Sequence, residues 1–326
     1  APATDASAAI LPGEADKGTL RLHRAIMIGI AVALVIAPFV AYPVFVMKVL
    51  CFALFALAFN LLLGYGGLLS FGHAAYFGMA SYVCAYTAKN WGLTPELAIL
   101  LGTAVSAALG ALFGALAIRR QGIYFAMITL ALAQMVFFFS LQTPRFTGGE
   151  DGIQAVPRGR LFGLIDLSDD RTLYWLVGAI FMAGLLAMYR IIHSPFGQVC
   201  KAIRDNEPRA ISLGYRANQY KLAVFELSAT LAGLAGSTKA IVFQLASLTD
   251  VHWSMSGEVV LMTLVGGLGT VFGPIAGALV IVSMQNYLAS LGAWVTVVQG
   301  VIFVICVMTF REGIVGVIAK WIKKPL

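Results

Sequence analysis

Charged residues are scarce in this sequence, since Lys, Arg, Asp and Glu make up only 11% of its 326 residues. Hydrophobic residues account for 60% of the chain, and its mean hydropathy is +0.88. One water-soluble core cannot hide that much apolar surface, which excludes an ordinary soluble domain. The apolar residues run for roughly 18–22 positions at a time, the length of helices that cross the bilayer, instead of alternating as transmembrane strands do. We therefore expect an integral membrane protein built of helices.

The sequence also lacks the motifs of the common enzyme classes. It contains no GxxxxGK[ST] phosphate loop, no HExxH and no GxSxG pattern. Its carboxylates, histidines and four cysteines show no spacing typical of a metal site or of a disulfide framework. We expect no catalytic residues, no metal and no cofactor bound by this chain. An intramembrane enzyme would need a catalytic dyad that the sequence does not provide.

The apolar runs predict an all-α polytopic membrane protein with about ten transmembrane helices, several of them short or broken by glycine. The candidate spans lie near 25–41, 43–63, 67–88, 95–118, 122–142, 172–190, 220–246, 257–270, 273–291 and 293–310.

Lysines and arginines collect on one side of these spans, which orients the chain by the positive-inside rule. Both termini are then cytoplasmic. The expected divisions are a disordered cytoplasmic tail at 1–24, a transmembrane domain at 25–318 with a periplasmic loop at 143–171 and a cytoplasmic loop at 191–219, and a basic cytoplasmic tail at 319–326. The net charge of +7 follows from this topology beside an anionic inner leaflet, so no nucleic-acid partner is expected.

Two glycine-rich stretches interrupt the apolar runs, GGLLSFGHAA at 66–75 and GGLGTVFGPIAGA at 266–278. Each follows an inward-running span and precedes an outward-running one, as in a protein with two related halves. Helix breaks at matching positions indicate a transport path. Close helix packing is the alternative for the first stretch, and a tight turn between helices is the alternative for the second. The candidate path residues are Gly66, Gly67, Ser70, His73, Gly266, Gly267 and Thr270.

The polar stretch at 193–221 predicts two short helices. Pro195 starts the first, and Asn206 caps a second at about 207–213, with Pro208 in its first turn and Gly214 just past its end. A compact second helix favours docking to another protein over a solvated loop or a helix lying on the bilayer. Its polar residues Glu207, Arg209 and Ser212 are expected to face outward, and its apolar residues Ala210, Ile211 and Leu213 to provide contact. The candidate residues for coupling to such a partner are Arg204, Asn206, Glu207, Pro208, Arg209, Ala210, Leu213 and Gly214.

Glu226 is an acid within the seventh span, and intramembrane acids face protein or water. It stands less than two turns from Lys221, so the interface and a substrate path are both open to it. His73 has three open interpretations: a substrate contact, a titrating group, or a hydrogen bond to a neighbouring helix. A self-sufficient transporter driven by ions would use Glu226 and His73 as its titrating pair, but would leave the stretch at 193–221 unexplained.

Six stretches, in their order and spacing over residues 25–318, resemble one family: the membrane permeases of branched-chain amino acid ABC importers, of the LivM type. They are NLLLGYGGLLSFGHAAYFGMASY, RRQGIYFAMITLALAQM, FTGGEDGI, SPFGQVCKAIRDNEPRAISLGYRANQYKLAVFELSATLAGLAG, GEVVLMTLVGGLGTVFGPIAGALV and FREGIVG. Two features depart from the family. Glu226 stands where its members usually have an apolar residue, and LTDVHWSMSGE at 248–258 is typical of only a subset.

The resemblance implies a set of partners in the bacterial inner membrane. These are a second, LivH-like permease that forms a heterodimer, two LivG/LivF-like ATPase subunits that bind ATP and Mg, and a periplasmic substrate-binding protein. It further implies that the loop around 201–214 is the coupling helix that receives ATP-driven closure of the ATPases. A small hydrophobic amino acid is the leading substrate. Urea, amides and aromatic or other carboxylates stay open as alternatives, because the same permease type serves them and the binding protein does most of the selecting.

Overall fold

The computed structural model describes residues 17–289 and 313–322, with a few isolated positions between them. The described helices are α1 (Lys17–Val40), α2 (Pro43–Asn60), a π-helix (Leu61–Tyr65), α3 (His73–Asn90), α4 (Pro95–Ala117), α5 (Ile123–Gln142), α6 (Pro144–Thr147), α7 (Asp170–His193), α8 (Pro195–Asp205), α9 (Glu207–Ser212), α10 (Ala217–Phe243), α11 (Trp253–Gly266), α12 (Gly273–Tyr287) and α13 (Gly313–Ile322). Two 3₁₀ turns lie at Gly149–Asp151 and Leu248–Asp250.

Within the described residues, five segments are long and apolar enough to cross a membrane, judged by length and composition. They are Leu22–Val40, Pro43–Tyr65, Pro95–Ala117, Ile123–Gln142 and Asp170–His193. The expectation of a helical, multi-pass membrane protein is therefore confirmed. The count of about ten spans stays a prediction. Most of the candidate span at 293–310, residues 323–326 of the predicted tail at 319–326, and most of the tail at 1–24 lie outside the described residues.

Four short strands complete the described part of the chain, and the all-α prediction missed them. β1 (Ile153–Gln154) pairs antiparallel with β4 (Leu245–Ala246), and β2 (Arg160–Leu161) pairs with β3 (Ile165–Asp166). Each strand has two residues, which is too short for an alternating pattern to be visible in the sequence. Strand β4 follows the end of α10, and Arg158 just before β2 donates to the Val242 carbonyl there, whereas α9 pairs with Lys221 near the start of α10. The strands therefore lie at the end of the bundle opposite α9.

Two predicted spans are displaced along the chain. The span expected at 220–246 is α10 at 217–243, and the span expected at 257–270 is α11 at 253–266. Gln244 ends α10 by adopting a left-handed conformation with φ 53°, and its neighbours then enter β4. His252 starts α11, because its Nδ1 accepts a hydrogen bond from the Ser254 amide at 3.3 Å. The end of α10 and the start of α11 are therefore set by local capping, which a hydropathy profile does not resolve.

Helix α2 lies at the centre of the bundle. In the segment Pro43–Tyr65, 83% of the residues in its most apolar stretch are buried. The corresponding share is 28–39% for the spans that contain α4, α5 and α7. Apolar residues cover every face of α2, and a helix of that kind is stable only when other helices surround it. It contacts α7, α10, α11 and α12, while α10 also packs along α3 and α4.

Small residues bring α10 close to its neighbours. A Cβ atom on Gly236 would collide with the backbone carbonyl of Phe77 in α3, so only glycine allows this approach. Hydroxyl groups join the same helices, since Ser106 of α4 donates to the Ala229 carbonyl at 2.7 Å and Ser237 donates to the Ala80 carbonyl at 3.3 Å. Close approach and interhelical hydrogen bonds drive helix association where lipid supplies no hydrophobic force.

Replacing Gly236 by Ala should destabilise the bundle, because the new Cβ must separate α10 from the α3 backbone. Overpacking of this kind costs on the order of 1–3 kcal/mol. The thermal midpoint of the purified protein in detergent should fall by several degrees. The matched control is Gly178→Ala in α7, where a Cβ would meet no atom within 4 Å. Equal midpoints for the two variants would contradict the packing described for α3 and α10.

Candidate functional site

The first glycine-rich stretch breaks the helix, as predicted. Helix α2 passes into the π-helix, and regular structure resumes only at His73, six residues later than the expected start at 67. The Gly66 amide donates to the Leu61 carbonyl and the Leu68 amide to the Leu62 carbonyl, both at 3.2 Å, so the spacing of an α-helix is lost. Gly67 has φ +69°, a conformation that glycine adopts without strain. We call residues 61–72 the first broken segment.

The second stretch forms the connection between α11 and α12. Gly267 leaves α11 with φ +127°, and a Cβ on Gly266 would collide with the Gly273 carbonyl at the start of α12. Thr270 closes the turn, because its hydroxyl donates to the Gly267 carbonyl at 2.8 Å and accepts from the Gly273 amide at 3.0 Å. Pro274 stands in the first turn of α12, where its missing N–H costs nothing. We call residues 266–272 the second broken segment.

The two broken segments touch each other. Asn60, fully buried at the end of α2, donates from its amide nitrogen to the Thr270 carbonyl at 2.8 Å and accepts from the Gly269 amide at 3.0 Å. A Cβ on Gly64 would lie 2.9 Å from the backbone of Gly269. The fold therefore brings the two glycine-rich regions together through Gly64, Gly269 and Thr270, of which only Thr270 is among the predicted path residues. The prediction did not name Asn60, although an amide at the end of an apolar run is a visible signal.

His73 lies at the start of α3 and is fully buried. Its Nε2 lies 2.8 Å from the hydroxyl of Ser228, which itself donates to the Ala58 carbonyl at 2.5 Å. Since the hydroxyl proton is used there, the histidine Nε2 carries the proton and donates. The ring edge meets Phe59 with centroids 5.0 Å apart. The geometry matches a hydrogen bond to a neighbouring helix, one of the roles considered for this residue.

Side-chain oxygens satisfy the free amides that the helix break creates. The Ser70 hydroxyl accepts a hydrogen bond from the Gly72 amide at 3.1 Å. The Thr129 hydroxyl of α5 accepts one from the Phe71 amide at 3.2 Å. The Ser256 hydroxyl of α11 accepts one from the Ala74 amide at 2.9 Å. Unpaired backbone groups in a bilayer are costly, so these bonds let the break persist. Ser70 is fully buried, and its hydroxyl is the hydrogen-bond acceptor for the Gly72 amide within this turn.

A cavity of about 430 Å³ opens between the first broken segment and α5. Its walls are almost wholly apolar. The lining includes Gly67, Leu68, Leu69 and Phe71 from the segment, and Gly122, Phe125, Met127 and Leu130 from α5 and the turn before it. The cavity is large enough for a small apolar molecule.

Helices α8 and α9 have the predicted caps. Asn206 accepts from the Arg209 amide at 3.1 Å and starts α9, with Pro208 in the first turn. Gly214 has φ +92° just past the end, and the Tyr215 amide reaches back to the Ala210 carbonyl at 3.2 Å. This pattern closes a helix with glycine at the C′ position.

One side of α9 differs from the prediction. Glu207 turns inward, because its carboxylate pairs with the ammonium of Lys221 in α10 at 2.7 Å and accepts from the Gln121 amide at 3.2 Å. Ala210 is buried beneath the helix. Ile211 and Leu213 are 55% and 70% exposed, so their apolar surface is not covered by this chain. The Glu207 carboxylate is paired with the buried ammonium of Lys221, and the spacing of these two residues in the sequence does not reveal the ion pair.

Helix α8 is joined to the first broken segment. The guanidinium of Arg204 donates to the Gly64 carbonyl, and the ammonium of Lys201 lies 5.3 Å from the ring centroid of Tyr65. Burial, and then the positive charge of Arg204, lower the pKa of Lys201. Helix α8, which carries the candidate residue Arg204 and leads into α9, therefore contacts the segment that carries the candidate path residues.

The structure does not bring Glu226 and His73 together as a hydrogen-bonded pair. Glu226 is exposed on α10, whereas His73 is buried against Ser228. The buried ion pair lies elsewhere, between Lys239 and Asp250 at 2.6 Å, and fastens the end of α10 to the turn before α11. Within the part of the chain that the structure describes, no three His, Cys, Asp or Glu side chains are grouped to hold a metal ion.

Known proteins share this sequence pattern. The chain matches the family described as branched-chain amino acid transport system / permease component over residues 44–307. The high-affinity branched-chain amino acid transport system permease protein LivM of Salmonella typhimurium is 26% identical over 285 residues, which cover 81% of this chain and 67% of that protein. LivM of Escherichia coli K12 is 25% identical over the same shares.

A sugar transporter component is also similar. The ribose import permease protein RbsC of Escherichia coli K12 is 28% identical over 228 residues, or 65% of this chain and 69% of that protein. No solved structure matches. Because the family pattern covers most of the chain and the described helices include five apolar spans, the chain belongs to the family of permease components of branched-chain amino acid transport systems.

Proposed function

We propose that this chain is the membrane-spanning permease subunit of an ATP-driven ABC importer for small hydrophobic, branched-chain amino acids that a periplasmic binding protein delivers. Its family membership over residues 44–307 is the observation that carries this proposal. The chain itself contributes no ATPase site, and ATP and Mg bind at two partner subunits of the LivG/LivF type. A LivH-like second permease completes the path as a heterodimer.

The coupling surface is α9 with the end of α8. It receives the ATPase subunits in the cytoplasm, and both termini lie on that side of the bacterial inner membrane. The geometry supports the proposal because α9 is braced from below by Glu207 and Lys221 while Ile211 and Leu213 stay exposed for a partner. The residues concerned are Asn206, Glu207, Pro208, Arg209, Ala210, Leu213 and Gly214 for docking, and Arg204, whose guanidinium donates to the Gly64 carbonyl, for coupling.

The translocation path runs beside the two broken segments. Gly66, Gly67, Gly266, Gly267 and Thr270 form the backbone turns, and Ser70 and His73 hold the first turn in place from within the bundle. The apolar cavity beside Gly67 supports a path for an aliphatic side chain. Alternating access then requires these turns to move relative to α5.

A sugar is the second candidate substrate, and an ion-driven secondary transporter is the alternative mechanism. The similarity to ribose permeases favours a sugar as the second candidate substrate, but it covers less of the chain than the similarity to LivM. Urea, amides and carboxylates have no observation in their favour. An ion-driven secondary transporter is less well supported, because its proposed pair, Glu226 and His73, is not joined in this structure.

The subunit composition should be that of an importer. Affinity purification of the tagged chain in mild detergent, followed by mass spectrometry, is expected to recover a second permease and two ATPases. Proteoliposomes of that complex should take up leucine only with enclosed ATP and added binding protein. A chain that purifies alone and transports under an ion gradient would contradict the proposed function.

The exposed end of α9 should be needed for ATPase docking. Leu213→Asp places a charge on an apolar contact, and desolvating it should reduce recovery of the ATPases about tenfold or more. Leu164→Asp is the matched control, because that leucine is 87% exposed in the β2–β3 turn at the opposite end. Immunoblotting of the detergent-extracted complex measures both. Equal ATPase recovery from both variants would remove α9 from the docking surface.

A further inference from the structure

Arg204 connects two parts of the molecule that the proposed function assigns to different tasks. It stands in the last turn of α8, and its guanidinium donates to the carbonyl of Gly64 in the π-helix. The Asp205 carboxylate accepts from its Nε at 2.9 Å and from an Nη at 2.8 Å. Both bonds go to one oxygen, Oδ1 of Asp205, so two donors of the guanidinium are engaged there while a third, on Nη1, donates to Gly64.

The Gly64 carbonyl is available because the helix is broken there. In a continuous α-helix the Leu68 amide would donate to it, but that amide donates to the Leu62 carbonyl at 3.2 Å. A carbonyl that loses its helical donor inside a membrane protein needs another partner. Arg204 supplies that partner, and so an element outside the bundle core holds the first broken segment in its present form.

The contact continues to the second broken segment. The aliphatic part of Arg204 lies across Gly67, where a Cβ would be 2.6 Å from Arg204 Cγ. Gly64 in turn touches Gly269, which Asn60 holds by a hydrogen bond. An unbroken series of contacts therefore leads from α8 through Arg204 and Gly64 to both broken segments.

The other attachments of α8 and α9 lead elsewhere. Glu207 joins α9 to Lys221 in α10 and to Gln121 in the turn before α5. The ammonium of Lys201, 5.3 Å from the ring centroid of Tyr65, makes a cation–π contact that is weaker and less directional than a charged hydrogen bond. Among the described residues, Arg204 is the one that hydrogen-bonds α8 to the backbone of a broken segment.

We propose that Arg204 is the positioning residue that transmits movement of α8 and α9 to the two broken segments, so that ATPase closure alters the translocation path. The inference rests on the proposed function and names the residue through which coupling passes. Docking of the ATPases is assigned to the exposed apolar side chains of Ile211 and Leu213, and the role of Arg204 is its contact with Gly64.

Substitution of Arg204 should separate ATP hydrolysis from uptake. In the reconstituted full complex, Arg204→Gln should leave the ATPases bound and hydrolysing, while uptake per ATP hydrolysed falls about tenfold, the effect of losing one charged hydrogen bond. Arg204→Lys keeps a charge and a donor and should restore part of the coupling. Arg190→Gln is the control, because Arg190 is exposed in the last turn of α7 and loses the same charge.

A glycine variant tests the same contact from the other side. Gly67→Ala should push Arg204 from Gly64 and reduce coupling. Gly92→Ala is its control, because Gly92 has a similar φ of +63° but no atom within 4 Å of a Cβ. This pair separates loss of the Arg204 contact from the backbone strain that both variants share.

The outcomes distinguish the two proposals. Wild-type uptake that depends on ATP, together with normal coupling in Arg204→Gln and Gly67→Ala, would overturn the role of Arg204 and leave the importer standing. Uptake by the wild-type complex that needs no ATP would overturn both. A loss of ATPase recovery in Arg204→Gln equal to that of Leu213→Asp would also contradict the proposal, because it would make Arg204 a docking residue.

Discussion

A broken helix in a membrane has to find partners for its backbone groups within the protein, because lipid offers none. This constraint shapes the region around residues 61–72. The amides freed before α3 bond to Ser70, Thr129 and Ser256, which belong to the segment itself and to α5 and α11. The carbonyl of Gly64 bonds to Arg204. Each helix that pairs with these backbone groups is thereby attached to the first broken segment, which in turn fixes the positions of the helices around it.

The same constraint explains how α8 and α9 can be bonded to the bundle on one side and exposed on the other. The inner side of α8 and α9 is committed to Gly64, Lys221 and Gln121 through charged or polar bonds. The outer side keeps two aliphatic side chains exposed on a helix with well-formed caps. A compact pair of helices bonded to the first broken segment can transmit a displacement to that segment, whereas a solvated loop would absorb it.

The sequence was sufficient to predict the features that depend on local chemistry. The helical membrane fold, the break near Gly66, the Asn206 cap and the Gly214 stop all follow from patterns within a few residues. The features it could not provide depend on contacts between distant parts of the chain. Glu207 faces inward because Lys221 lies beneath it.

The contacts of the first broken segment likewise depend on residues far away in the sequence. Arg204 meets Gly64 across 140 positions, and Asn60 meets Gly269 across 209. The sequence showed that two glycine-rich stretches resemble one another, but not that they touch. Only folding places these residues together, so the linkage from α8 to the break was not visible beforehand.

The central claim is that α8, α9 and the first broken segment move as one unit. Double electron–electron resonance between spin labels at Leu213→Cys and Leu69→Cys, both at exposed positions, tests it in a background without native cysteines. The full complex is compared in its nucleotide-free and vanadate-trapped states, with a third label at Leu164→Cys as the reference. The account predicts an unchanged distance between positions 213 and 69 while both distances to position 164 change. A shift between 213 and 69 as large as the shifts to 164 would contradict it.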